Sequence, residues 1–331
     1  MKTRLDYIDR IKGFAILLMV LGHVYLFSLH VVGGVVNRFI SSCHMYIFMF
    51  MSGYVAYVAD AGTLRRKLQK RLPTYILPAF ALKWAMFPIA VFMGVAQWDE
   101  FVGRALTGGY WYLKCLFIFC LLQYPILKCR KLRYELAFML AVYVLFLVCW
   151  KMFPKIATEQ YIPLEHCSCF YPSFVLGYYF RKYNLMPRLA SSNTLFTVAL
   201  VGYVYLFFAD IQVPVVGNLL NRYLRPTLAI IFITGLFLRQ EGKTNRFLDW
   251  LSYFGRNSLE VYLFNGVFVL SYTIMDMTVV KDWTYANGMP MFTLFVGIVV
   301  SVIIAYCCVW IGKLLHSSKI LDLCIYGKRQ Q

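Results

Sequence analysis

Three residues of the first apolar segment have types and a spacing that could support chemistry inside a membrane. The stretch YIDRIKGFAILLMVLGH contains Asp9, Lys12 and His23. An eleven-residue spacing brings Lys12 and His23 within about 20° of one face of an α-helix, with a rise of roughly 16 Å. Ionisable side chains in membranes normally face a protein interior or a water-filled cavity. The stripe, which includes Ile16, predicts a polar path from Lys12 to a base at His23.

Each residue of this stripe also has a simpler interpretation. His23 could be a hydrogen-bonded interior histidine, and Lys12 could extend to the lipid headgroups beside Asp9. Their alignment favours a functional interpretation, because two separate structural roles would not require one helix face.

The second apolar segment, which contains HMYIFMFMSGY, adds another histidine. His44 is expected at a depth similar to that of His23, so the two imidazoles could share a polar cavity. Ser52 and Gly53 are small, and they predict a close approach between helices.

Two further segments carry polar residues at expected helix ends. Arg71 in KLQKRLPTYILP could bind a phosphate at the membrane surface. The segment FGRNSLEVYLFN gives a helix a polar start, and the simplest role of its glutamate is to pair with Arg256 four residues earlier. The polar residues of this start are Asn257, Ser258, Glu260 and Tyr262.

The elements that must position these residues are membrane helices. Of the 331 residues, 61% are hydrophobic and only 15% are charged, which is too apolar for a soluble domain of this size. We predict an all-α integral membrane protein, because windows of roughly 20 apolar residues can each span a bilayer. There are ten such windows: 11–31, 39–59, 75–96, 110–127, 134–153, 163–180, 192–210, 222–239, 254–276 and 291–312.

The basic residues that give the chain a formal charge of +18 are placed as expected for residues that set membrane topology. Lysines and arginines concentrate in alternate connecting segments, so the positive-inside rule predicts that both termini are cytoplasmic. This distribution argues against a nucleic-acid partner and for a multi-pass protein of the cytoplasmic membrane. The basic N-terminus and the apolar run after it indicate a retained helix, since no small-residue cleavage site follows.

The rest of the chain predicts one transmembrane domain over residues 1–331, with no soluble domain appended. Most of the ten cysteines lie in apolar runs, where a thiol behaves as a small hydrophobic group. His166, Cys167 and Cys169 lack a second cluster that would complete a tetrahedral site, so we predict no metal.

These motifs resemble those of the membrane acyltransferase 3 family, bacterial ten-helix proteins that move acyl groups, usually acetyl from acetyl-CoA, onto sugar hydroxyls. Asp9, Lys12 and His23 match the pattern of its first helix, and HMYIFMFMSGY resembles its second. Further matches are RLPTYILP through Arg71, WYLKCLF through Trp111, FYPSFVLGYYFRK and FGRNSLEVYLFN. The family commonly has arginine at Lys12 and often histidine at Asn265, so no catalytic role is transferred to Asn265.

The resemblance implies a membrane-bound O-acyltransferase of the cell inner membrane that modifies a cell-surface or secreted polysaccharide or its lipid-linked precursor. His23 would be the general base and His44 a second catalytic residue. His44, or Asn257 and Ser258, would be possible oxyanion or orienting donors. Acetyl-CoA would be the acyl donor, held by Asp9, Arg10, Lys12 and Arg71. Substrate-binding or orienting roles would belong to Ser52, Trp111, Asn257, Ser258, Glu260 and Tyr262.

Other classes of function remain open at this point. Ten helices with buried His, Lys and Glu also describe a transporter or a glycan flippase, although the chain has no evident internal repeat. A non-catalytic subunit of a polysaccharide synthase is a third possibility. The residues distinguish neither direct transfer from a covalent acyl-enzyme nor one acceptor sugar from another.

Overall fold

The computed structural model describes residues 5–57, 75–92, 94, 97–98, 110–129, 131–154, 162–209, 214–269 and 276–326. These residues form helices and contain no strand. Arg71 lies outside the described residues, so its predicted role has no structural counterpart here.

Fifteen helices are described, and two of them pass into π-helical turns. The first eight are α1 Asp6–His23, which continues through the π-helical residues Val24–Ser28, α2 Gly34–Ala56, α3 Leu77–Phe92, α4 Trp111–Lys128, α5 Leu132–Met152, α6 Leu164–Lys182, α7 Met186–Ser191 and α8 Asn193–Phe208. The other seven are α9 Pro214–Leu219, which continues through the π-helical residues Leu220–Leu224, α10 Arg225–Leu238, α11 Arg246–Arg256, α12 Ser258–Val269, α13 Thr278–Ala286, α14 Pro290–Ser317 and α15 Lys319–Tyr326.

Each of the ten apolar windows contains helix, which confirms the all-helical class. Within the described ranges, four helical stretches are long and apolar enough to cross a membrane: Asp6–Ser28, Gly34–Ala56, Leu132–Met152 and Pro290–Ser317. Trp111–Leu127 and Asn193–Phe208 are shorter apolar helices. Ten spans and cytoplasmic termini therefore stay predictions, while the membrane class stands on these apolar helices.

Burial distinguishes the apolar helices from one another. Helix α2 has 72% of its most apolar window buried, whereas α5 has only 22%. The exposed face of α5 carries apolar residues that recur every four positions, as expected for a surface that meets lipid. It consists of Leu136, Leu140, Val144 and Val148.

The chain forms two compact units. The first comprises Met1–Met51 and Asn184–Gly312, and the second comprises Ser52–Tyr183 and Lys313–Gln331. In the first unit, α1 packs along α11 and also contacts α10 and α12, while α8 packs on α10. In the second unit, α6 packs against α4 and α5, and α15 packs on α3.

Glycines set the close crossing of α1 and α11 in the first unit. A Cβ at Gly13 would lie 1.8 Å from the main-chain oxygen of Leu251, and one at Gly255 would lie 1.7 Å from that of Asp9. The two backbones therefore touch, which larger side chains would prevent. This contact fixes the helix that carries Lys12 and His23.

Candidate active site

The candidate base His23 is the last residue of α1, and its ring contacts α12. Its Nδ1 lies 2.7 Å from the side-chain oxygen of Asn265, a residue that is only 3% exposed. On the other side, the ring of Phe27 meets the imidazole edge-on, with 5.8 Å between the ring centroids. Two neighbours from different parts of the chain therefore hold the ring.

The hydrogen bonds of Asn265 determine which nitrogen of His23 carries the proton. The Asn265 amide nitrogen donates to the main-chain oxygens of Val261, at 3.0 Å, and Tyr262, at 2.6 Å. Because carbonyl oxygens only accept, this orientation turns the amide oxygen toward His23. His23 must then donate from Nδ1, and in the neutral imidazole the lone pair is on Nε2.

His44 is held in the same tautomer by its own helix. Its Nδ1 lies 2.5 Å from the main-chain oxygen of Ile40, one turn earlier in α2. Since that oxygen accepts, Nδ1 carries the proton and Nε2 has the lone pair. Both predicted catalytic histidines belong to the first unit, and they are near enough for a charge on one to affect the other.

The N-terminal end of α1 carries the residues predicted to hold the donor. Lys12 is half-buried, and Ile16, one turn further toward His23, is 1% exposed. The uninterrupted α-helix from Asp6 to His23 keeps Lys12 and His23 on one face, as their spacing predicts.

Asp9 and Arg10 have contacts that also stabilise the fold at this end. Asp9 is buried, and its carboxylate lies 3.5 Å from Nε of Arg256, whose Nη2 is 3.8 Å from Asp6. Arg10 donates from Nη1 to the main-chain oxygen of Gln240 at 2.9 Å and from Nη2 to the main-chain oxygen of Lys243 at 3.0 Å. Arg10 thus ties α1 to the turn between α10 and α11.

The polar start predicted near residue 257 is the junction of two helices. Helix α11 ends at Arg256 and α12 begins at Ser258, and the Asn257 amide nitrogen donates to the main-chain oxygen of Tyr253 at 2.7 Å. Arg256, the residue that sequence spacing offers as a partner for Glu260, lies beside Asp6 and Asp9. Glu260 and Tyr262 are half-buried in α12.

The second unit contains the remaining predicted site residues. The hydroxyl groups of Ser52 and Tyr112 are 2.7 Å apart, and Gly53 is in close contact with the main chain of Phe174, where a Cβ would lie 1.9 Å from its oxygen. Gly53 therefore has the packing role that its size predicts.

Trp111 belongs to an aromatic cluster in this second unit. Its ring stacks on Phe170, with centroids 5.2 Å apart, and lies 4.1 Å from the ring of His166. Among the described residues, no group of three or more His, Cys, Asp or Glu side chains could hold a metal ion.

Sequence reasoning missed the role of Asn265. The signal was present, because an asparagine replaces a histidine of the family pattern within an apolar helix. However, only the folded chain brings it beside His23, which is 242 residues earlier.

The fold and the half-buried histidines define a class: a helical membrane protein with polar side chains held between its helices. A family model described as an acyltransferase domain, that of acyltransferase family 3, matches residues 5–311. The chain therefore belongs to the acyltransferase 3 family, which confirms the resemblance seen in its motifs, and its chemistry is acyl transfer. No curated protein and no solved structure matches it significantly.

Proposed function

We propose that this protein transfers an acetyl group from acetyl-CoA to a hydroxyl group of a cell-surface or secreted polysaccharide, or of its lipid-linked precursor, with His23 as the general base. The observation that carries the proposal is the hydrogen bond from His23 Nδ1 to Asn265, whose amide orientation is fixed by two main-chain oxygens. A base requires a lone pair directed at the acceptor hydroxyl. Nε2 of His23 has that lone pair.

One base can carry both proton transfers of the proposed reaction. Nε2 of His23 accepts the proton of the acceptor hydroxyl, while its oxygen attacks the thioester carbonyl and forms a tetrahedral oxyanion. When the intermediate collapses, the carbon–sulfur bond breaks and the imidazolium returns the proton to the coenzyme A thiolate. Asn265 stabilises the imidazolium throughout, because its oxygen accepts from Nδ1 in both protonation states.

The charge at the other end of α1 supports a donor that enters from that side. The rise of roughly 16 Å between Lys12 and His23 is comparable to an extended pantetheine arm. In the proposal Lys12, with Arg71, binds coenzyme A phosphates while the thioester reaches Nε2. Arg10 has a smaller part than its position in the sequence indicates, because both of its Nη atoms donate to main-chain oxygens.

His44 has a revised role in this scheme. A neutral His44 that donates from Nδ1 to Ile40 has only a lone pair on Nε2. It therefore cannot donate to an oxyanion from that atom, and we assign it to relaying or accepting a proton near His23. Stabilisation of the oxyanion is left to other donors. Ser258, at the start of α12, is seven residues or about 10 Å before Asn265 and therefore lies nearer the end of α1 that carries Asp9.

Binding of the donor tests the proposal. Purified protein in lipid nanodiscs should unfold at a higher temperature when acetyl-CoA is added, by the ordinary linkage of ligand binding to stability. Lys12→Met should raise the acetyl-CoA concentration needed for half of this shift, whereas the exposed Lys319→Met should leave it unchanged. A protein that responds to no acyl-CoA would contradict the proposal and favour the transporter alternative.

The acceptor is tested in cells. Surface glycans from a deletion strain should lack one acyl modification when they are analysed by mass spectrometry. The wild-type gene should restore that modification. If glycans from the deletion strain keep every acyl group, the proposed acceptor class is wrong.

A further inference from the structure

Two arginines from different helices lie near the C-terminal end of helix α8 in the first unit. Arg38 is on α2, and Arg225 is the first residue of α10. A Cβ on Gly202 of α8 would lie 3.1 Å from the side chain of Leu228, which is three residues after Arg225 in α10. The start of α10 is therefore close to the end of α8, and the two positive charges are near enough to influence each other. Arg38 Nη1 makes a long contact of 3.4 Å with the main-chain oxygen of Phe207, and Nε of Arg225 is buried without a hydrogen-bond partner.

The neighbours of this arginine pair do not neutralise it. Within the described part of the chain, no carboxylate forms an ion pair with Arg38 or Arg225. Arg225 has Tyr203, Tyr46 and Arg38 near enough to influence its charge. Like charges held together in a partly buried setting repel one another, and a bound anion would reverse the sign of that interaction.

A pair of hydroxyl groups belongs to the same contact between α2 and α8 as Arg38. The Tyr203 hydroxyl is 2.8 Å from that of Ser42. Arg38, Ser42 and Tyr46 recur every four residues, so they share one face of α2. A third arginine, Arg222, comes three residues before Arg225. Guanidinium forks match the oxygen atoms of a phosphate group. The hydroxyl protons are used within the protein, because Ser42 donates to the main-chain oxygen of Phe39 and Tyr203 therefore donates to Ser42.

The arginine pair belongs with the end of α1 that carries His23. Arg38 comes only ten residues after the π-helical turn ends at Ser28, whereas Lys12 lies in the second turn of α1. His44 is six residues beyond Arg38 on α2, a rise of about 9 Å. A molecule held at Arg38 could therefore extend toward the two histidines from the side opposite Lys12.

We infer that Arg38 and Arg225 form a binding site for a phosphate or diphosphate group of a membrane-embedded molecule. The inference rests on the proposed function for its biological meaning: the phosphate is that of a lipid-linked glycan, whose sugar hydroxyl is thereby placed beside His23. Donor and acceptor then enter from opposite ends of α1. The same phosphate chemistry also occurs in phospholipid headgroups, and the experiment separates these two sources.

The test measures binding of geranyl diphosphate to the purified protein in uncharged detergent micelles. A charge-assisted hydrogen bond contributes enough for its loss to weaken binding about tenfold or more. Arg38→Gln combined with Arg225→Gln should therefore raise the dissociation constant for geranyl diphosphate by at least about tenfold. The exposed pair Arg133→Gln and Arg188→Gln removes the same charge elsewhere and should leave the constant unchanged.

Competition with phosphatidylglycerol in the same micelles identifies the source of the phosphate. Weak competition supports the lipid-linked acceptor, while equal competition overturns that assignment in favour of a headgroup. Unchanged binding in the double variant overturns the site itself. Arg38→Gln alone serves if the double variant does not fold, because Arg38 is exposed.

The same samples separate the inference from the proposed function. An acetyl-CoA titration should give the wild-type response in both arginine variants. If the wild type binds geranyl diphosphate through Arg38 and Arg225 but ignores acyl-CoA, the phosphate site stands and the acyl donor proposal fails.

Discussion

Replacing Asn265 with leucine tests the role of the residue that holds the candidate base. The leucine removes the oxygen that accepts from His23 Nδ1 and keeps a side chain of similar size. A hydrogen bond to a charged partner contributes about 1.5–3 kcal/mol, and the imidazolium that forms during transfer is such a partner. We therefore expect the rate constant for transfer to fall roughly 10-fold to 150-fold.

The assay measures initial rates of transfer from radiolabelled acetyl-CoA to the acceptor in nanodiscs, so that kcat and KM are obtained separately. Because Asn265 positions a base and does not contact coenzyme A in this scheme, kcat should fall while KM for acetyl-CoA stays near the wild-type value. Asn265→Asp retains an acceptor oxygen for Nδ1 but turns its other oxygen toward the main-chain oxygens of Val261 and Tyr262, so it should recover only part of the lost rate. Asn287→Leu, in an exposed helix cap, is the matched control.

Two results would refute this reasoning. Wild-type kcat in a correctly folded Asn265→Leu protein would show that the hydrogen bond to His23 does not matter for transfer. A rise in KM with unchanged kcat would move Asn265 into donor binding.

Three further predictions concern stability. Gly13→Ala places a methyl group against the main chain of Leu251 and should lower the free energy of unfolding by about 3 kcal/mol or more. The variant should therefore unfold at a lower temperature. Gly202→Ala meets only a flexible leucine side chain and should change the unfolding temperature little. Glu135 is buried and ion-paired with Lys182, so Lys182→Met should destabilise by about 3 kcal/mol, and adding Glu135→Gln should restore part of the loss; additive losses would contradict this. Hydrogen bonds from Thr278 lower the pKa of Asp276 below its ordinary value of 3.8. The ionised Asp276 therefore stabilises the first turn of α13 at neutral pH, and this stabilisation is lost as the pH falls through the lowered pKa. Hydrogen exchange of that turn should increase in Asp276→Ala at neutral pH, and equal exchange rates would contradict the assignment.

Local periodicity predicts those features of the first helix that depend on local structure. Lys12 and His23 share a face because α1 is regular over eighteen residues. The continuation into a π-helical turn at Val24–Ser28 was not predictable from an apolar run, since hydropathy does not distinguish one helical pitch from another.

Contacts between distant segments lie beyond such reasoning. Asn265 accepts from His23 only because α1 and α12 pack together, and Arg256 meets Asp9 only because two glycines let α1 touch α11. The window 254–276 illustrates the limit of hydropathy for boundaries: it begins inside α11, crosses a junction at Asn257 and continues in α12. An apolar average hides that break.

The family motif and the structure inform different parts of the site. The motif identifies Asp9, Lys12 and His23 as a group. The structure adds that Nδ1 of His23 is the donor, which selects Nε2 as the basic atom. Neither the spacing of residues nor their types could assign the proton.

The rate of acetyl transfer by His23→Ala tests the central proposal most directly. A positioned general base contributes roughly 100-fold to 10,000-fold to a rate, so the purified variant should lose at least about 100-fold in kcat while it still shows the wild-type thermal response to acetyl-CoA. His30→Asn is the control, because His30 is exposed and asparagine tolerates its positive φ of 51°. A His23→Ala protein that transfers acetyl groups at the wild-type rate would contradict the assignment of His23 as the base.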